Sequence, residues 1–113
     1  MKITLSLIVL RAKDIEKSLV FYQALGLEFI QEQHGKGPVH YSSIVGETVI
    51  ELYSVTTLHP AYNLRLGFSV ESLDDTVKKL KNIDAPMELL INEQGPFALV
   101  RDPDFRTIEL LEK

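Results

Sequence analysis

The chain has 113 residues, of which 45% are hydrophobic and 25% charged, and its 12 Lys+Arg against 16 Asp+Glu leave a net charge of −4. These are proportions of one globular domain, and they exclude disordered and collagen-like chains. With no cysteine, disulfide scaffolds, thiolate metal centres and cysteine nucleophiles are excluded together, and an acidic balance without a basic stripe argues against nucleic acid as a partner.

The first apolar run, Ile3 to Leu10 with Thr4 and Ser6 inside it, is far shorter than the ~20 residues of a membrane helix. Only Lys2 precedes it, and Arg11-Ala12-Lys13-Asp14 follows where a small-residue cleavage site would stand. A first strand over 2–12 is expected, in a cytoplasmic protein with no membrane partner. Asp14 then stands at an N-cap position, and Ile15, Leu19, Tyr22 and Leu25 recur at helical spacing up to Gly26, a good left-handed terminator. Short strands are predicted over 27–34, 39–45 and 47–55, punctuated by Gly and Pro. Gly35-Lys36-Gly37 reads as a hairpin turn.

Residues 56–63, with Pro60, read as a linker between module one (1–55) and module two (64–113). Module two opens with a strand over 64–71. Ser72 is the N-cap of a second helix, with Asp75 three residues on. Strands follow over 87–92, 97–101 and 105–111, and Asp102-Pro103-Asp104 reads as the turn before the last.

The two halves repeat. Displaced by 58 residues, Gly37-Pro38 falls on Gly95-Pro96, Ile50-Glu51-Leu52 on Ile108-Glu109-Leu110, and the helix positions Ile15, Leu19, Tyr22 and Leu25 on Leu73, Val77, Leu80 and Ile83. Three blocks at one offset argue for a duplicated strand–helix–strand–strand–strand unit. A unit of ~55 residues buries little core alone. Its helix covers one sheet face, and the other needs a partner, so a cleft and a homodimer are expected.

Leu10-Arg11-Ala12-Lys13-Asp14-Ile15-Glu16-Lys17-Ser18-Leu19-Val20-Phe21-Tyr22, then Leu25-Gly26-Leu27, Leu66 to Val70, Arg101-Asp102-Pro103-Asp104 and Ile108-Glu109-Leu110 together resemble the vicinal oxygen chelate superfamily. That superfamily includes glyoxalases, bleomycin-resistance proteins and extradiol dioxygenases. The resemblance implies an α+β fold of two paired βαβββ modules, usually dimeric, with ligand clefts between modules. In metal-dependent members one ligand lies on the first strand and one on the last strand of each module. Carried over, those positions are Leu7, Glu51, Arg65 and Glu109. Leucine donates nothing and a guanidinium stays protonated. No metal or other cofactor is therefore expected, although Glu51 and Glu109 with water leave a weakly held divalent metal as the reserve reading. Arg65 is expected to take the vacant place and bridge Glu51 and Glu109.

Strand alternation places Leu5, Val9, Val49 and Tyr53 of module one on the same cleft-facing register as those positions, and Gly67, Ser69, Thr107 and Leu111 of module two. The ligand-binding candidates are Leu7, Val49, Glu51, Tyr53, Arg65, Ser69, Thr107 and Glu109. His40 joins them as a strand histidine within reach of the cleft, whereas His34 reads as a hairpin end and His59 as linker. No H-x-H or H-x-x-x-H spacing occurs. Phe105 stands where relatives usually place Gly after Asp-Pro-Asp, which puts the turn in question and makes Phe105 a cleft or dimer candidate.

The favoured function is binding of a small organic molecule in the cleft without the family metal. The alternative is a glyoxalase-like lyase or isomerase, metal-dependent or acid/base, in which Glu51 or Glu109 is catalytic. A structural or regulatory dimer is the third class.

Overall fold

The computed structural model describes residues 2–56 and 64–113. All of the expected linker but Thr56 lies outside those residues, as does His59. The order is β1 (Leu7–Ala12), α1 (Ile15–Leu25), β2 (Ile30–Glu32), β3 (His40–Val45), β4 (Thr48–Ser54), β5 (Arg65–Val70), α2 (Leu73–Asn82), β6 (Met87–Asn92), β7 (Gly95–Arg101) and β8 (Thr107–Glu112). Two four-stranded sheets result, β1-β4-β3-β2 and β5-β8-β7-β6. This is the expected α+β pair of βαβββ modules.

Local chemistry sets both helices. The Asp14 carboxylate accepts the N–H of Lys17, and Gly26 closes α1 at φ 111°, a left-handed angle open to glycine. The Ser72 hydroxyl accepts the N–H of Asp75 to start α2. Period-two alternation then sorts the strands. Leu10, Ile50, Leu52, Ile108 and Leu110 are buried, and Ile8, Leu66 and Phe68 pack against the same core. One cluster takes residues from both sheets and both helices. The opposite sheet faces stay open.

The duplication appears in the strand register. Leu7 pairs with Val49 in parallel, and Arg65 with Thr107, the positions that the offset equates. It slips by one residue in the third strand. His40 opposes Tyr53, and the counterpart of Tyr53, Leu111, opposes Phe97 rather than Ala98. Gly37-Pro38 therefore precede β3, whereas Gly95-Pro96 begin β7.

Three expected strands begin at least two residues late in the structure. Residues 2–6 stay outside β1, although the Ser6 carbonyl still accepts the Val49 N–H at 2.8 Å. β2 keeps three residues because Leu27 and Phe29 turn into the core and the chain is already bending at His34, whose carbonyl accepts the Gly37 N–H. β8 begins at Thr107 because Asp102 holds the preceding turn. Its carboxylate accepts the backbone N–H groups of Asp104 and Arg106, each at 2.9 Å.

That turn also joins the modules. Asp102 accepts Tyr22 Oη at 2.5 Å and Arg106 Nη1 at 3.0 Å. Asp104 accepts the Lys13 N–H at 3.2 Å, and Arg106 Nη2 donates to the Arg11 carbonyl at 2.6 Å. Charged groups taken from water need such pairing, although the buried Arg106 Nε finds no partner.

Candidate functional site

Four family ligand positions fall on the open sheet faces. Leu7, half exposed, offers β1 only hydrocarbon. On β5 and β8, Arg65 Nη2 donates to Glu109 Oε1 at 2.6 Å, with the side chains 53% and 31% exposed. Glu51 on β4 meets another partner, lying 3.3 Å from His40 Nε2. The expected bridge is thus half formed. Among the described residues, Arg65 holds Glu109 but makes no ion pair with Glu51. The modules place these pairs on separate sheets.

On the first sheet the open face carries one transverse polar row. Arg11 of β1 is level with Tyr53 of β4, Tyr53 with His40 of β3, and His40 with Glu32 of β2. The Arg11 guanidinium carbon lies 5.2 Å from the Tyr53 ring centre, a cation–π distance. The Tyr53 and His40 rings stack at 4.4 Å and 9°. His40 is 1% exposed, and its Nε2 lies 3.3 Å from Glu32 as well as from Glu51. The corresponding row of the second sheet is Ser69, Leu111, Phe97 and Leu90. The modules share a backbone and differ in chemistry.

Away from this row the same face becomes more apolar. Val9, Glu51, Ser42 and Ile30 form the adjacent row, and Leu7, Val49 and Ile44 the one beyond it. Ile44 is 75% exposed and Ile30 68%. Val49 and Thr107 are half-buried, and Ser69 is exposed.

Phe105 sits elsewhere. It keeps the positive angle expected of the usual glycine, φ 66°, with its ring exposed. The Asp102 carboxylate, by holding the N–H groups of Asp104 and Arg106 on either side, fixes the backbone there. Its ring borders a pocket of about 470 Å³ between α1 and the α2–β6 turn, lined by Val20, Phe21, Ile83 and Pro86 among others. That pocket lies away from the four family positions.

Sequence spacing missed one grouping. Glu32, His34 and His40 bring one ligating atom each to within 4.8 Å of one another. Neither histidine motif applies, because a hairpin rather than a helix or single strand unites them. The available signal was the Gly35-Lys36-Gly37 turn, which folds His34 back towards His40.

The chain matches the family described as the glyoxalase/bleomycin resistance protein/dioxygenase superfamily over residues 4–110. It belongs to that superfamily. A search of curated proteins found no match. Among solved structures it is similar to the fosfomycin resistance protein FosX from Listeria monocytogenes, at TM-score 0.79 and 21% identity over 100% of this chain and 95% of that one. It is also similar to the oxidase ChaP-H2, at 0.79 and 16% over 100% and 95%. The antibiotic binding protein TnmS3 from a Streptomyces species follows at 0.75 and 22%, over 99% and 98%. At these identities the likeness carries the fold. Some members of the superfamily hold a metal at the four positions considered above. Here the donor set does not fit it: Leu7 has no donor atom, and the Arg65 guanidinium already occupies a Glu109 oxygen. No helix among the described residues is long and apolar enough to cross a membrane.

Proposed function

We propose that this protein binds a small organic molecule between the open sheet faces of two copies of the chain, without the family metal. The observation that carries the reading is the 2.6 Å Arg65–Glu109 pair at two of the family ligand positions. It puts a fixed cation where the family places a metal, and a guanidinium orients an anionic or carbonyl group without acting as a Lewis acid. The exposed apolar rows beside Tyr53 supply the hydrophobic wall that such ligands need. TnmS3, an antibiotic binding protein, and FosX, a fosfomycin resistance protein, share this fold, which supports this class.

The test is a thermal-shift and calorimetric screen of planar antibiotic-sized compounds, with product analysis of every hit. Saturable binding with the compound recovered unchanged is expected. Arg65→Ala and Tyr53→Ala should each weaken it about tenfold or more while leaving the melting temperature of the free protein within a few degrees. Consumption of the compound, or affinity indifferent to both variants, would contradict the reading.

The His40–Glu51 contact favours one alternative, an acid/base lyase or isomerase of the same superfamily. Turnover abolished by Glu51→Gln would select it. Glu109, tied to Arg65, is the weaker catalytic candidate.

A further inference from the structure

The β2–β3 hairpin collects acceptor atoms without a matching donor. His40 is 1% exposed, and its Nε2 is buried with no hydrogen-bond partner. Such orphaned groups are uncommon in folded proteins. Its other nitrogen, Nδ1, lies 3.3 Å from the Pro38 carbonyl. In the tautomer that donates this bond, Nε2 carries a lone pair, and two carboxylate oxygens, Glu32 Oε1 and Glu51 Oε2, each lie 3.3 Å from it. Three acceptors facing one another repel unless a cation lies among them.

The spacing distinguishes the cation. A charge-assisted N–H···O bond closes to about 2.7–2.9 Å. Ligands bound to one tetrahedral metal at about 2.0–2.1 Å stand roughly 3.3 Å apart. The His40–Glu32 separation of 3.3 Å is compatible with the second value. His34 approaches from the hairpin, its ring centre 5.2 Å from that of His40, and its ligating atom is within 4.8 Å of those of Glu32 and His40. The His40 ring is held from its flank by the Tyr53 stack. A metal-binding histidine typically donates its second nitrogen to a carbonyl, as Nδ1 is placed to do with Pro38.

We propose that Glu32, His34 and His40 form a site for a divalent first-row transition metal such as Zn²⁺ or Co²⁺, with Glu51 adjoining it at 3.3 Å from His40 Nε2. Two imidazole nitrogens with a carboxylate oxygen suit these borderline ions better than Mg²⁺ or Ca²⁺. Exposed His34 and half-buried Glu32 leave an entry path from solvent. Of the four family positions only Glu51 adjoins the site, which does not depend on the proposed ligand function.

The untagged full chain is loaded with Zn²⁺, dialysed against metal-free buffer near neutral pH and assayed for metal per chain, with affinity measured by competition against a chelator. Co²⁺ loading gives an independent visible spectrum. One metal per chain is expected. Because losing an outer partner alone costs about 10–100-fold in affinity, His34→Ala and Glu32→Gln should each cost about tenfold or more and alter the Co²⁺ bands. Glu109→Gln should change neither. No retained metal would overturn the proposal. Retention indifferent to His34→Ala and Glu32→Gln, or lost with Glu109→Gln, would overturn it equally. Organic-ligand binding by the metal-free chain is a separate readout, so either proposal can fail alone.

Discussion

Asp102 is 2% exposed and accepts four hydrogen bonds, from Tyr22, from the Arg106 guanidinium and from two backbone N–H groups. Burial pushes the Tyr22 phenol well above its ordinary value, and the Asp102 charge pushes it further. A raised folded pKa favours the protonated phenol in the fold. Its stabilising contribution is complete below about pH 10, the unfolded tyrosine value, and is lost as pH climbs through the folded value. Tyr22→Phe should cost about 1.5–3 kcal/mol at neutral pH, the range for a bond to a charged group. It should also flatten the alkaline loss of stability. Urea midpoints at about pH 8 and pH 11 check both. Asp102→Asn removes the charge facing Arg106, which is 4% exposed. Leaving that guanidinium without its main partner should cost about 3–5 kcal/mol in the same assay.

At the scale of elements, the caps carry helix boundaries. Ser72→Ala should cost about 1 kcal/mol through the lost bond to the Asp75 N–H, read as a lowered urea midpoint with unchanged slope. Both helices were legible because Asp14, Gly26 and Ser72 act within one turn of themselves. The sheet faces were legible too, since period-two alternation alone separates Leu10, Ile50 and Ile108 from Leu7, Glu51 and Glu109. What local patterning cannot register is a non-local pairing. The Gly-Pro matches suggested a perfect duplication, yet β3 and β7 differ by one residue, and a one-residue slip changes which face a side chain takes. His40 consequently lies on the open face while Ala98, its ungapped counterpart, is in the core. The hidden parts of the candidate site are of this kind. Glu32 and His40 meet through antiparallel register, His34 through a turn, and Glu51 through its diagonal relation to His40. The Arg65–Glu109 pair was visible because period-two alternation puts both residues on the open face of neighbouring strands of module two. Its expected extension to Glu51 failed because the modules put the two carboxylates on different sheets.

At the scale of the molecule, one core and the Asp102–Arg106 turn bind the modules, and both outer sheet faces remain uncovered. Leu5, Leu7, Val9, Ile30 and Ile44 are 38–75% exposed on the first face. Contiguous exposed apolar surface of this kind marks an interface or ligand groove in a soluble domain. A second copy can cover it, and duplication makes the two faces of one chain suitable in shape for each other across copies. A dimer is expected in which a ligand site forms where these faces meet. Sedimentation equilibrium of the full chain and of Leu7→Asp at micromolar concentration tests this most directly. The expected result is a species of twice 12.8 kDa for the chain, and a monomer with an unchanged helical spectrum for the variant. A chain that sediments at 12.8 kDa on its own would contradict it.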